Sequence, residues 1–421
     1  MTRLVAVAVL TLGLAACSLD VPLPPGLVDP NALSGAAGAK AIRDGPIVTL
    51  NGTIPSVAFL SGILTDELRD TNGQYASIDS RSGFTVGLNV QYTRLQLVRY
   101  QLLDAIGTLQ KRPASSYPKA WLVELYALTA YVEAILGEQI CSGTPLSTVN
   151  DDGTPNYGDP LTTDQVFLDA LAKTETALTF SGDSARLDNL ARVVRGRILL
   201  DLGRAVEAAS AVASVPTDYV YEATFNSSNP NAMGGLGSGT PAFAVADTEG
   251  RVGLPFASAK DRRVPWVARG SSSVGPITVY ALRKYQTPLT PLPIANGVEA
   301  RLIEAEASLP GADGVGSWLA TVNALRATIG LADTTDPGTS RARLDLVFRE
   351  RAFWLFATGH RLGDLRRLVS RYARSPDETF PNGPYFQSAN GTYGMYGDVR
   401  SFPIAPGAES ANPKFHGCLE E

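Results

Sequence analysis

The chain has 421 residues with 41 acidic and 36 basic side chains, a net charge of −5, and no basic cluster, which argues against nucleic acid as a partner. Hydrophobic residues make up 44%, enough for a substantial core in one large or two to three ordinary domains, while charged residues reach only 18% against a usual share of about 25%. Two histidines, His360 and His416, are too few for most zinc hydrolase sites, and no H-E-x-x-H, G-x-S-x-G or Walker A pattern occurs.

The N-terminus reads as an address. Thr2 and Arg3 give a basic start, Leu4 to Leu14 is a short apolar run broken by Thr11 and Gly13, and Leu14-Ala15-Ala16-Cys17 matches a bacterial lipoprotein cleavage box. Such a run suits a signal-peptide core, since a membrane-spanning helix needs about 20 apolar residues. Residues 1–16 are therefore expected to leave as a signal peptide, with Cys17 carrying the lipid; the alternative is an ordinary signal peptide with an incidental cysteine. Ser18, not aspartate, follows the cysteine, a pattern compatible in proteobacteria with outer-membrane delivery. Residues 17–45 are expected to form a tether, kept extended by Pro22, Pro24, Pro25 and Pro30. No second apolar stretch of spanning length is read after it, so the rest is expected to be soluble.

Residues 46–215 are expected to be helical. Val86, Val90, Leu95, Val98, Leu102, Ile106 and Leu109 recur near helical spacing, and Pro113 ends the run. A second helix from Trp121 to Leu136 sets Trp121, Leu125, Leu128, Val132 and Ile135 on one side. Thr163 or Asp164 is the expected cap of a third, running to Phe180. Asn189 to Val215 reads as a helical hairpin in which Gly196, Ala205, Ala208 and Ala209 allow close approach, the look of a tetratricopeptide unit.

Residues 216–296 break this rhythm. Asn226 to Gly253 is rich in Gly, Asn, Ser and Pro without periodicity, and is long for a bare loop. Gly235-Leu236-Gly237-Ser238-Gly239 lacks a preceding strand and is expected to be a flexible loop, not a dinucleotide cradle. Residues 375–400 form a second insert of the same kind, carrying Phe380, Tyr385, Phe386, Tyr393 and Tyr396.

In residues 297–421, Leu344 to Leu368 is the most informative segment. Ala352 to Ala357 is apolar at every position, so it is expected to be buried, and the flanking Arg349, Glu350 and Arg351 must be paired or reach the core's edge. Gly359 fits a helix C-terminus. Arg361, Asp364 and Arg367 follow at i, i+3 and i+6, close enough for Asp364 to pair with either arginine.

These residues resemble the C-terminal motif of the RagB/SusD family, E-R-x-x-E-L-x-x-E-G-x-R-x-x-D-L-x-R, through Glu350, Arg351, Gly359, Arg361, Asp364, Leu365 and Arg367; Thr358 stands at one of its acidic positions. Val298 to Ala307 resembles the family's R-x-A-E-x-x-L-x-x-A-E-A helix. Trp318 to Arg326 with Gly330-Leu331 resembles its N-x-x-R-x-R-A-G-L segment. Phe402-Pro403-Ile404 and Asn412-Pro413 resemble its F-P-I-P … N-P ending. Four motifs in order are more specific than any one of them. The resemblance implies a mostly α, tetratricopeptide-like scaffold with long irregular inserts, set as a hinged lid over a TonB-dependent, SusC-like outer-membrane barrel. It further implies lipid anchoring facing the cell surface, capture of an oligomeric nutrient without turnover, and no cofactor or metal.

With Cys17 lipidated, Cys141 and Cys418 remain, and a disulfide between them would pin the C-terminal tail; the alternative is two buried free thiols. His360, at the motif's break, is read as a hydrogen-bonded structural histidine. Carboxylates are plentiful, but no spacing singles out a glycosidase pair, and Glu304 and Glu306 cannot share a helix face. Exposed aromatic faces are what sugars dock on, so Tyr75, Trp266, Tyr385, Tyr393 and Tyr396, all in loop-like surroundings, are the candidate ligand contacts, each with the alternative of plugging its own loop. Trp121, Trp318 and Trp354 sit in helical patterns and are expected in the core. Two other functions stay open here: a helical-repeat scaffold lipoprotein for protein partners in envelope assembly, and an α-helical glycan-active enzyme.

Overall fold

The computed structural model describes residues 35–83, 90–150, 152–234, 242–272, 275–309, 315–387, 392–404 and 407–419. The expected signal peptide and Cys17 lie outside them. Among the described residues the helices are α1 (Gly35–Leu64), α2 (Ala76–Asp79), α3 (Val90–Gln110), α4 (Ala120–Gln139), α5 (Thr163–Thr179), α6 (Ala185–Asp201), α7 (Ala205–Val212), α8 (Gly297–Ala307), α9 (Val315–Thr328), α10 (Ser340–Trp354) and α11 (Arg361–Tyr372). The fold is mostly α and tetratricopeptide-like, with consecutive helices from α3 to α9 packing on one another. α1 starts at Gly35, inside the stretch read from sequence as tether: Ala39, Leu50, Ile54 and Ile63 bury against the body, and that burial outweighs the two prolines within the helix.

α4 is the central helix. It is apolar nearly all round, and such a helix must be interior. Both α1 and α4 are long and apolar enough to cross a membrane, which corrects the reading of no second such stretch. Their apolar windows are 67% and 89% buried inside the fold, so both serve as core helices. The three glutamates of α4 are buried with it, and each has an arginine from a neighbouring helix: Glu124 with Arg43 at 2.5 Å, Glu133 with Arg99 at 2.7 Å and Glu138 with Arg197 at 2.8 Å. Burial nevertheless pushes Glu133 up to about 7 against the opposing pull of Arg99.

Helix starts follow local chemistry. Thr162 caps α5 in a capping box with Gln165, one residue before the caps expected from sequence, and Ser184, Asn296 and Thr339 cap α6, α8 and α10. The hairpin of α6 and α7 packs as the small residues suggest: a methyl on Gly196 would sit 2.5 Å from Val212.

Among the described residues the strands are short and antiparallel. β1 (Leu68–Asp70) pairs with β7 (Phe243–Val245), β2 (Thr144–Pro145) with β5 (Pro160–Leu161), and β3 (Thr148–Val149) with β4 (Pro155–Asn156). Likewise β6 (Val220–Ala223) pairs with β10 (Leu292–Asn296), β8 (Trp266–Ser272) with β9 (Gly275–Leu282), and β11 (Pro384–Gln387) with β12 (Thr392–Met395). The first insert is therefore no bare loop: the β6–β10 pair closes its base and β7 ties it to the end of α1. The C-terminal tail is tied to the end of α4 by Phe402, whose N–H donates to Gln139 O at 2.7 Å and whose carbonyl accepts from Cys141 N at 2.9 Å. Cys141 and Cys418 are disulfide-bonded, with Cα atoms 5.7 Å apart.

The motif around Glu350 builds a buried ionic centre. α10 ends at Trp354, not at Gly359, and residues 355–359 turn with positive φ at Ala357 (55°) and Gly359 (86°). The turn's carbonyls accept from side chains: Lys284 Nζ donates to Phe356 O at 2.5 Å, Tyr285 Oη to Ala357 O at 2.9 Å and Gln139 Nε2 to Gly359 O at 3.0 Å. A side chain at Gly359 would also press on Ala58 of α1, at 3.3 Å.

Arg351 holds Asp364 with two bonds of 3.0 and 2.8 Å. Arg367 holds Glu306 at 2.7 and 2.9 Å, Asp201 at 2.8 Å and Asp364 at 2.7 Å. Arg361 does not pair with Asp364 as its spacing suggested; it reaches Asp66, at 2.7 and 2.8 Å, at the end of α1. Glu350 is shared by Arg263 at 2.5 Å and Arg326 at 2.6 Å. Burial alone would raise Asp364, but Arg351 and Arg367 outweigh it and hold the carboxyl well below its ordinary value. His360 is buried, with Nδ1 2.8 Å from Thr358 Oγ1 and Nε2 3.1 Å from Glu299, and burial lowers its pKa toward the neutral ring.

Candidate ligand-binding cleft

The second insert folds back on the body through the β11–β12 hairpin. Its register places Tyr385 opposite Gly394, and Tyr393 opposite Phe386; the side chain of Tyr393 lies outside what is described. Tyr385 points inward. It is 5% exposed, and its hydroxyl donates to Asp79 Oδ2 at 2.9 Å. Tyr396, just past β12, sets its ring edge-on to Tyr385 at 5.1 Å and donates its hydroxyl to Glu249 Oε2 at 2.5 Å. Arg69, on β1, pairs with Glu249 at 3.2 Å. Burial, then the Glu249 charge, raises Asp79 well above an ordinary carboxyl. These side chains anchor the second insert to β1, α2 and the first insert.

Above this anchor lies a cleft of about 510 Å³ lined by Arg81, Arg251, Asp377, Asn382, Met395, Tyr396, Asp398 and Arg400. Its walls come from three separate stretches of chain. Arg81 is fixed by donating Nε to Val399 O at 2.8 Å and Nη1 to Pro381 O, and Gly397 N donates to Ser80 O at 2.8 Å. Arg251 is exposed, and its backbone N–H donates to Asn382 O at 3.1 Å. Planar guanidinium, carboxylate and amide groups beside one aromatic ring are the equipment that recognises hydroxyl-rich rings, and this volume falls in the range of small-ligand sites.

Two other cavities differ in character. One of about 600 Å³ lies between α4, α5 and α11, with Phe167 and Phe380 on its walls and Glu138 and Asp201 also lining it. Most of its arginines are committed to the fold: Arg366 donates to Gly137 O and Ile140 O, both at 2.9 Å, Arg371 to Asp201 O at 2.7 Å, and Arg367 to Glu306 and Asp201, while Arg400 lines this cavity as well as the cleft. The other, about 130 Å³, is lined by Phe59, Gln91, Arg94 and Tyr75, whose ring meets Phe59 edge-on at 4.9 Å.

Of the five aromatics picked from sequence, Tyr385 and Tyr396 come together at the cleft, with Tyr385 beneath it and Tyr396 in its wall. Tyr75 lines the small cavity. Trp266 is half-buried on β8, its Nε1 donating to Ala257 O at 3.0 Å and its ring edge-on to Tyr280 at 4.7 Å. Trp318 is 1% exposed in the core, while Trp121 and Trp354 are half-buried. Sequence reasoning missed Arg81, Arg251, Asp377, Asp398 and Arg400. The one signal for them was Asp398-Val399-Arg400 directly after the aromatic run. Among the described residues no group of three or more His, Cys, Asp or Glu is arranged to hold a metal ion.

No protein-family model and no curated protein matches the chain. Solved structures do. A SusD superfamily protein from Bacteroides vulgatus superposes with a TM-score of 0.70 at 15% identity, covering 91% of this chain and 98% of that one. A SusD-like carbohydrate binding protein from the same organism gives 0.68 at 11% identity, over 91% and 97%. A SusD-like protein from Bacteroides fragilis gives 0.65 at 12% identity, over 94% and 99%.

Proposed function

We propose that this chain, which has the SusD-superfamily fold, is a RagB/SusD-type lipoprotein that binds an oligomeric saccharide and passes it to a TonB-dependent barrel in the outer membrane. The observation that carries the reading is the fold likeness along 91% of the chain, at a TM-score of 0.70, joined to the four ordered motifs. The reading includes lipid anchoring at Cys17 and a surface-facing position, which the cleavage box and the RagB/SusD resemblance support. One of the similar structures is named as carbohydrate binding, and another as a putative sugar binding protein.

The cleft bearing Tyr396 is where we place the saccharide. Binding and closure against the barrel suffice for delivery, so no bond of the ligand need be broken. The second insert is held by side-chain bonds to Asp79 of α2 and Glu249 of the first insert, which fixes Tyr396 before a ligand arrives and spares the cost of ordering it.

The test is isolation of the lipoprotein from native membranes in mild detergent, with mass spectrometry of what accompanies it. A TonB-dependent barrel in near-equal amount is the expected result. Recovery without any barrel, repeated under crosslinking, would give first place to a scaffold for envelope proteins. In parallel, the purified protein should bind an oligosaccharide with no change in its length, and Tyr396→Ala should weaken that binding by about tenfold, the scale of one lost ring contact and its desolvation.

A further inference from the structure

The charges of the cleft narrow the class of saccharide, on the reading that the cleft is the saccharide site. Three guanidiniums, Arg81, Arg251 and Arg400, line it against two carboxylates, Asp377 and Asp398. Among the described residues, Arg251 and Arg400 make no side-chain hydrogen bond or ion pair, and neither Asp377 nor Asp398 is ion-paired. Arg81 spends its bonds on backbone carbonyls. Burial, and next the nearby Arg400 guanidinium, pull Arg81 down to about 10 although Asp398 and Asp377 oppose it. The cleft thus holds like charges against one another.

Elsewhere in this molecule arginines in enclosed surroundings are matched: Arg351, Arg361 and Arg367 each hold a carboxylate with two bonds. Three guanidiniums against two carboxylates leave the cleft an excess of positive charge that an anion can relieve. The guanidinium fork suits planar or tetrahedral oxyanions, which accept two parallel N–H bonds. Beside it, the Tyr396 ring and Met395, 63% exposed at the rim, offer apolar surface to the C–H face of a sugar.

We propose that the cleft takes an oligosaccharide bearing acidic groups, with Arg251 and Arg400 gripping a carboxylate or sulfate while the sugar ring lies against Tyr396. The two arginines set specificity and play no part in holding the fold.

Calorimetric titration of the full mature chain tests this with four probes: an oligogalacturonate, the same oligomer fully methyl-esterified, a sulfated dextran oligomer and a neutral malto-oligosaccharide. The expected result is that an acidic probe binds at least about tenfold more tightly than the neutral ones, equivalent to about 1.4 kcal/mol, and weakens as salt rises. Preference for the oligogalacturonate assigns carboxylate, and preference for the dextran assigns sulfate. In the double variant Arg251→Gln, Arg400→Gln the preference should vanish, with the melting temperature unchanged as the check on folding.

A methyl ester bound as tightly as the free acid would overturn the inference. So would an acidic preference that survives in the double variant. Tight neutral binding that depends on Tyr396 would overturn it while leaving saccharide capture standing. Absence of binding to all four probes would overturn it too, and co-isolation of the barrel would then decide separately whether the uptake reading holds.

Discussion

Two groups of arginines in this molecule face opposite situations. Beneath α10 and α11, Arg351, Arg361 and Arg367 are enclosed and each is matched to carboxylates at 2.7–3.0 Å. Where the two inserts meet, Arg251 of the first and Arg400 of the second border a cleft with no bonded partner for their side chains among the described residues. A buried charge without its counter-charge costs several kcal/mol, so the inner group is locked to the fold and any change there is felt globally. The outer group carries no such bond among the described residues, so a ligand can supply one. Residue type alone does not separate structure from function here; pairing does.

Removing an inner counter-charge should have the largest effect. Asp364→Asn leaves Arg351 and Arg367 short of one anion, and urea denaturation should register a loss of about 3–5 kcal/mol. A loss below about 1 kcal/mol would mean that Glu306 alone neutralises both, and the contrast between the two groups would shrink.

A second effect lies in the pH dependence of stability. Glu67 accepts from Ala357 N at 3.1 Å in the turn after α10, and burial pushes it up to about 8, ahead of the opposing charge of Arg361. Its folded value lies above the ordinary 4.5, so between these pH values the folded chain holds a proton that the unfolded chain releases. Stability therefore falls as pH rises through this window, by at most about 1.4 kcal/mol per pH unit from this group. Glu133, at about 7, acts in the same sense. Lys284, lowered to about 8 by burial, acts in the opposite sense only above that pH. Unfolding free energies measured from pH 5 to 7.5 should decline in the native protein and decline less steeply in Glu67→Gln. Equal slopes would remove Glu67 from the account.

The smallest effect belongs to the cleft. Arg400→Gln should change stability by no more than about 0.5 kcal/mol, since no bond to the body is lost. A thermal shift as large as that of Asp364→Asn would show that Arg400 belongs to the fold and would erase the distinction.

The helices were legible because their apolar residues repeat with helical period. Trp121 to Leu136 was read within a few residues of the observed α4, and the small residues of the α6–α7 hairpin indicated its close packing. The strands were not legible. They run two to eight residues and pair across the chain, as Leu68 does with Val245, so no local window contains both partners. The aromatic run of the second insert was visible as a cluster, but which rings would plug and which would line a cleft depended on Asp79 and Glu249, far away in sequence.

By itself, the sequence determined the mostly helical architecture, the ordered motifs and the need for Glu350, Arg351, Asp364 and Arg367 to find partners, since an apolar run around charges leaves no alternative. Only the tertiary structure decided who the distant partners are: Asp201 from α6 and Glu306 from α8 for Arg367, and Arg263 and Arg326 for Glu350. It also decided that Arg81, Arg251 and Arg400 meet without them. The physical reason is the same in both cases. Local sequence fixes whether a charge must be compensated, and the packing of distant segments fixes whether it is.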